Sequence, residues 1–259
     1  MAGGRGFETT TGLVIQQGIF EESATAKHKI GTRMQLADGR VFYYAQAGEA
    51  LAAGLLAHSK PQHLDRTAMV TTTASAAIGA KTITGLTVGG EKFTANEMAE
   101  GFLYTQKVTA LGYTYKIKSN TSGTSGGTNL DVVLYDPIQV ALDTTTEIGF
   151  VYNPFYKVLQ GTTVITSGPA GVCLRGVVTT QYYCWLQTWG VVALKQDAGS
   201  NVGEIGMRVI ASTEEGFIAN YTTNTNTELG GKAFPHVGYR FGTLAVDAEA
   251  TPIMLQLYP

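Results

Sequence analysis

The stretch 176–194, GVVTTQYYCWLQTWGVVAL, constrains the fold of this chain more than any other segment. It contains both tryptophans of the protein, two adjacent tyrosines and many β-branched residues, and it carries no charge. Aromatic and β-branched side chains fit a pleated, half-buried surface, so the segment is predicted to be a β-strand. Simple alternation directs Trp185 and Trp189 to the same face of that strand. Neither face is consistently polar, which predicts a sheet covered on both sides, as by a second subunit.

The composition extends this prediction to the whole chain. Of its 259 residues, 44% are hydrophobic and only 15% are charged, and 32 are glycine. Turn signals recur about every eight to twelve residues, which is typical of many short strands joined by tight connections. The chain is therefore predicted to be mainly β, an antiparallel sandwich or barrel with an extended N-terminal arm and little helix.

Charge and hydropathy argue against two classes of partner. The net charge of −2 provides no basic surface for nucleic acid or for an anionic membrane. No segment approaches the roughly 18 consecutive apolar residues of a membrane-spanning helix. The N-terminal sequence MAGGRGFETTTG lacks the apolar core of a secretory signal, so we expect the chain to be made in the cytoplasm. Cys173 and Cys184 are accordingly expected to be buried free thiols, although they could pair if their strands were neighbours.

Residues 1–30 differ in composition from the remainder of the chain, because most of them are small or polar. We predict an extended arm that docks on a neighbouring protein through its few apolar side chains. These candidate contact residues are Leu13, Val14, Ile15, Ile19 and Phe20. Residues 31–259 are predicted to form one β-rich domain, with a possible division into two lobes near 161–170.

Several local signals predict particular elements. Asp38-Gly39, between alternating segments, is a strong hairpin signal. Thr94 followed by Glu97 has the spacing of a capping box, although the run after it is too short for more than a turn or two.

Two strands and two connections complete the pattern. Segments 102–108 and 113–120 form a predicted antiparallel pair. The Gly- and Ser-rich stretch 119–129 is predicted to be an exposed hairpin tip. The apolar stretch 48–59 is compatible with one or two buried helical turns or with a tight loop.

No set of residues has the spacing of a catalytic or metal site. His58, Ser59, His63 and Asp65 are close in sequence, but no GxSxG turn is present to expose a nucleophile. The four histidines are scattered and no CxxC pair occurs. Four carboxylates between 131 and 147 could flank a cleft, as in a glycoside hydrolase, but carboxylates at strand ends usually cap turns. The sequence is thus interpreted as non-enzymatic and without a cofactor or metal.

Three blocks of the chain, 30–56, 112–155 without its Gly-rich loop, and 181–190 with 237–257, resemble head structural proteins of tailed bacteriophages. The similarity is greatest to capsid decoration (cement) proteins. It consists of a similar residue pattern and short similar segments over nearly the whole chain beyond the arm. It implies a β-rich virion protein on the outer surface of the phage head, often a homotrimer, that bridges major capsid proteins. It supplies no active-site residue.

Several alternatives are compatible with the sequence. Trp185 and Trp189 are candidates for core or subunit packing. A receptor- or glycan-binding virion module could use exposed aromatic side chains as stacking platforms, such as Tyr113, Tyr115 or Tyr182. A β-rich hydrolase would use Asp131, Asp136 or Glu147.

Overall fold

The computed structural model describes residues 14–62, 75–88, 92–107, 110–160, 167–176, 179–197, 204–212, 214–221, 235–242 and 249–259. Within these ranges the protein forms fourteen strands, all paired antiparallel in two sheets, and no helix. The predicted mainly β, antiparallel fold class is confirmed. In the described part of the chain, no helix is long or apolar enough to cross a membrane.

The strands follow one another in the order β1 (Arg33–Gln35), β2 (Val41–Gln46), β3 (Leu56–His58), β4 (Thr82–Leu86), β5 (Phe102–Lys107), β6 (Thr114–Asn120), β7 (Leu130–Leu134), β8 (Glu147–Val151), β9 (Pro169–Cys173), β10 (Tyr183–Lys195), β11 (Arg208–Ala211), β12 (Ile218–Asn220), β13 (His236–Arg240) and β14 (Ala250–Gln256).

The chain divides into two compact units, and one of them is discontinuous in sequence. Unit 1 comprises residues 1–60 and 155–259, and unit 2 comprises residues 61–154. The boundaries therefore fall at 60/61 and 154/155 and not near 161–170. Within unit 1 the two ends flanking the insertion lie side by side, because Lys60 Nζ is 5.6 Å from the centre of the Tyr156 ring. Unit 2 is an insertion between the two parts of unit 1. The amino-acid composition does not change at its boundaries, and turn signals alone do not reveal it.

Unit 1 contains a nine-stranded sheet whose main path is β1-β2-β10-β14-β13-β11-β12, with β3 and β9 attached beside β10. The predicted hairpin at Asp38-Gly39 joins β1 to β2, and Gly39 has the positive φ of 87° that such a turn requires. The apolar stretch 48–59 is neither helical nor a simple loop, because its last residues form β3.

The first half of β10 is buried on both faces by the protein's own chain. On one face, Trp185 packs with Met34, Phe42 and Tyr44. On the other face, Cys184 and Leu186 pack with small and aromatic residues of β2 and β9, together with Phe155 and Val158. The predicted two-sided burial of this strand is present here without a second subunit.

Unit 2 contains a five-stranded sheet in the order β4-β7-β6-β5-β8. The predicted pair of strands around 110–112 is confirmed as β5 and β6, with Leu103 opposite Tyr115. The Gly-rich stretch joins β6 to β7, as expected. Thr94 and Glu97 form the predicted capping interaction, since Thr94 N donates to the Glu97 carboxylate at 3.0 Å, and the segment closes turns over 95–100.

Candidate interaction surface

Residues 14–30, the described part of the predicted arm, pack on the sheet of unit 1. Ser23 and Tyr183 exchange two main-chain hydrogen bonds of 3.1 and 2.8 Å. The buried Gln17 amide oxygen accepts hydrogen bonds from Tyr44 Oη and Ser23 Oγ, both at 2.7 Å. The indole N–H of Trp185 donates to the Gln17 carbonyl at 2.8 Å. This buried polar network fixes the arm to the protein's own β2 and β10.

The predicted arm contacts therefore differ in exposure: some are buried in unit 1 and others are accessible to solvent. Ile19 is only 2% exposed and belongs to the core cluster of Trp185, so it contacts its own chain instead of a neighbouring protein. Ile15 packs at the margin of the same cluster. Val14 is 77% exposed and Phe20 is 54% exposed, so both remain accessible. Leu13 lies outside the described residues.

A β-bulge places the two tryptophans on opposite faces of β10. Trp185 is opposite Tyr44 of β2, but Trp189 is opposite Val41, so the five residues 185–189 of β10 match the four residues 41–44 of β2. The extra residue inverts the alternation, since opposed residues in a ladder share a face. Gly190 follows the bulge with a φ of 94°, which favours glycine. The prediction that Trp185 and Trp189 share a face is therefore wrong, because alternation assumes an uninterrupted strand.

Beyond the bulge, one face of the sheet is buried and the other is exposed. Val192 and Leu194 point into the core of unit 1 with Ile253 and Leu255 of β14. The alternate residues form what we call the outer face. Its members are Trp189, Val191, Ala193 and Lys195 of β10, Ala250, Pro252, Met254 and Gln256 of β14, and Tyr239 of β13.

The outer face is continuous across four strands. Val191 is directly opposite Met254, Met254 is opposite Tyr239, and Tyr239 is opposite Arg208 of β11. Directly opposed side chains in an antiparallel pair lie about 4.5–5.5 Å apart, so this row is contiguous. The Arg208 guanidinium extends the row by lying 5.5 Å from the centre of the Tyr221 ring.

Exposed apolar side chains enlarge the outer face at one end. Val191 is 46% exposed, and Phe241, whose main-chain N–H bonds to the carbonyl of Pro252, is 56% exposed. Ile205, in the turn before β11 that bonds to Arg240 through the N–H of Gly206, is a separate exposed apolar side chain, 63% exposed. Monomeric proteins rarely expose large contiguous apolar patches, so this surface is a candidate for contact with another macromolecule.

A groove of about 490 Å³ runs along the other end of the outer face, between Trp189 and the β1–β2 turn. Asp38 and Arg40 form its polar side, where the Arg40 guanidinium pairs with the Asp38 carboxylate at 2.8 Å. Trp, Tyr, Met and Arg are enriched at the centres of protein interfaces, whereas Lys, Glu and Asp are depleted. The centre of the outer face, with Trp189, Met254 and Tyr239, has this composition, and Lys195 lies at its edge.

The residues of the alternative hypotheses are placed less favourably for chemistry. Asp131 is on β7 and Glu147 is on β8, and two strands lie between these in the sheet. Strands are spaced about 4.8 Å apart, so the two carboxylates are roughly 14 Å apart, beyond the span that glycoside hydrolysis uses. Asp136 is exposed in the turn after β7. Tyr115 is 5% exposed and accepts a hydrogen bond from Gln139 N, so it is not an exposed platform.

Tyr113 and Tyr182 also fall short of a stacking platform. Tyr113 is 38% exposed but stacks on the Tyr115 ring, and Tyr182 packs against the core of unit 1.

Metal-ligating side chains and thiols are the other reactive groups of the chain. Across the described ranges, no group of three or more His, Cys, Asp or Glu side chains lies close enough together to hold a metal ion. His63 and Asp65 lie outside those ranges. Cys173 and Cys184 are buried free thiols on adjacent strands. The hydrogen bond with Cys173, reinforced by burial, raises the pKa of the Cys184 thiol well above its usual value, so Cys184 is a poor nucleophile.

No family model, no curated protein and no solved structure matches this chain.

Proposed function

We propose that this protein is a structural virion protein, a decoration (cement) protein that binds the outer surface of a phage head and bridges major capsid proteins. The proposal assigns it no catalytic activity and no cofactor. Its partners are the major capsid protein and further copies of itself, as a homotrimer.

The observation that carries the proposal is the outer face of unit 1. A row from Val191 through Met254 and Tyr239 to Arg208 crosses four strands without an acidic side chain. An exposed sheet face is usually polar where one side of a sheet is solvated. Covering the outer face with a second protein would remove this apolar area from water, which stabilises the complex.

The docked arm adds contact residues at a low entropic cost. Val14 and Phe20 are exposed, but the segment that carries them is fixed by Gln17 and Ile19. A prefixed segment loses little conformational freedom on binding, so more of its contact free energy is retained. Val14, Phe20 and Trp189 are therefore the predicted contact residues that the structure leaves accessible, whereas Ile19 and Trp185 support them from the core.

Repetition on a lattice would strengthen a weak individual contact. Three copies of the outer face in one trimer would bind a shell with a higher avidity than any single copy. The mass of the purified protein in solution tests the trimer directly, and a monomer at micromolar concentration would exclude this part of the proposal.

The test of the contact uses empty heads of the encoding phage, prepared without this protein. Purified protein is added, and co-sedimentation and the melting temperature of the shell are measured. Val191→Glu should weaken binding at least tenfold, because an unpaired carboxylate would be buried at the contact. Leu111→Glu, in an exposed turn of unit 2, is the matched control and should bind normally. Wild-type protein that does not bind, or a Val191→Glu variant that binds normally, would contradict the proposal.

A further inference from the structure

The sheet of unit 2 also has an exposed face, but its chemistry is different. Its outward positions alternate aromatic side chains with polar ones, among them Phe102 and Tyr104 of β5 and Thr114, Lys116 and Lys118 of β6. Phe102 is directly opposite Lys116, and Tyr104 is opposite Thr114. The lysines and Thr114 are exposed, whereas the aromatic rings are half-buried. We call these five residues the polar aromatic face.

Lys116 is held in place by its neighbours. Its ammonium group lies 2.8 Å from the Glu100 carboxylate and 5.4 Å from the centre of the Tyr135 ring. The Tyr135 hydroxyl donates in turn to the same carboxylate. The Glu100 side chain is only 11% exposed, whereas that of Lys116 is 44% exposed. The ammonium is thus held by Glu100 while the Lys116 side chain remains accessible, an arrangement that suits an anionic ligand.

Tyr104 lies across the glycine of the neighbouring edge strand. A Cβ atom at Gly149 would come within 2.4 Å of Tyr104 Cζ, so the phenol ring covers that position closely. This packing holds the ring against the sheet, and the side chain as a whole is partly exposed beside Thr114. An aromatic ring held this way can stack on the apolar face of another ring.

We propose that the polar aromatic face binds an acidic polysaccharide. A uronate carboxylate would pair with Lys116 and Lys118, the C–H face of a sugar ring would stack on Tyr104 or Phe102, and sugar hydroxyls would bond to Thr114. The cations favour an anionic ligand, and the interspersed hydroxyl and aromatic groups match a sugar better than a purely apolar protein surface. This site is separate from the outer face of unit 1 and does not depend on the decoration function.

The test is calorimetric titration of the full-length protein with hexamannuronate, an oligosaccharide of uronic acid. Uncharged cellohexaose and polyglutamate of equal charge serve as comparison ligands. We expect saturable binding of hexamannuronate that is at least tenfold tighter than binding of either comparison ligand. Lys116→Gln and Tyr104→Leu should each weaken it at least tenfold, and Lys27→Gln, in the arm, should have no effect.

Lys118→Gln is a second variant at an exposed position, where folding is not at risk, and it should weaken binding severalfold. The thermal unfolding curve of each variant is recorded to confirm that it is folded. Absence of saturable binding, equal binding of polyglutamate, or wild-type affinity in both folded lysine variants would each overturn the proposal.

Discussion

The indole N–H of Trp185 donates a 2.8 Å hydrogen bond to the main-chain carbonyl of Gln17, 168 residues earlier in the chain. This contact makes the N-terminal segment part of the core of unit 1. It also separates the roles of the two tryptophans, because Trp185 is fully buried whereas Trp189 borders a surface groove.

Replacing each tryptophan with phenylalanine should have unequal effects on stability. Trp185→Phe leaves the Gln17 carbonyl without its donor and opens space in the core, so the free energy of unfolding should fall by about 2–4 kcal/mol. Trp189→Phe is the matched control and should cost about 1 kcal/mol or less. Urea unfolding followed by circular dichroism measures both. Equal losses would show that the arm is not anchored through Trp185.

Arg240 is a buried cation that neutral groups hold. It is 1% exposed, and its guanidinium donates to Asn220 Oδ1 at 2.6 Å, to the Gln196 amide oxygen and to Thr251 Oγ1. Burial lowers the pKa of Arg240. Arg240→Ala would remove the guanidinium donor from three buried acceptors and create a cavity, so it should cost about 3–5 kcal/mol.

Arg208→Ala, at an exposed position on the neighbouring strand, serves as the control and should change the free energy of unfolding by about 0.5 kcal/mol or less. The two arginine variants are compared by urea unfolding under identical conditions. A loss of less than 1 kcal/mol for Arg240→Ala would contradict the buried network.

Gly149 and Tyr104 should show strong energetic coupling. Gly149→Ala places a methyl group in the space of the Tyr104 ring, so unit 2 should lose about 1–3 kcal/mol. In a Tyr104→Thr background the same change meets no ring and should be neutral or stabilising, since alanine lacks the flexibility of glycine. A double-mutant cycle measures the difference. Additive effects of the two substitutions would contradict the packing.

The buried His58 should make stability depend on pH. Burial lowers the pKa of His58 below its usual 6.5, partly offset by the carbonyl of Ser167. The unfolded chain therefore takes up a proton before the folded protein does, so stability is complete above about pH 6.5 and falls as the pH drops below it. His58→Gln should lose less stability than the wild type between pH 7 and pH 5. Identical slopes for the two proteins would refute this assignment.

Local sequence signals predicted local structure well. Asp38-Gly39 specified a hairpin because the turn requires a positive φ that glycine readily adopts. Thr94 and Glu97 specified a capped turn, and the alternation of Tyr113–Lys118 specified a strand with one buried face.

The local sequence signals did not predict the features that position the candidate surface. The bulge at Gln187–Trp189 depends on pairing with β2, 140 residues or more away, and alternation within β10 does not encode it. The anchoring of the arm depends on the fit of Gln17 to Tyr44 and Trp185, a tertiary match of polar groups. The insertion of unit 2 likewise depends on long-range contacts. Trp189 was a candidate contact from sequence, but Met254 and Tyr239 emerge only from the register of β14 and β13.

The most direct test of the central claim is an image reconstruction of the phage particle that carries this protein. The decoration hypothesis predicts density for the protein on the shell, with Val191, Met254 and Tyr239 against the major capsid protein and three copies around each site. Density in the tail, or on the shell with this face turned to solvent, would contradict it.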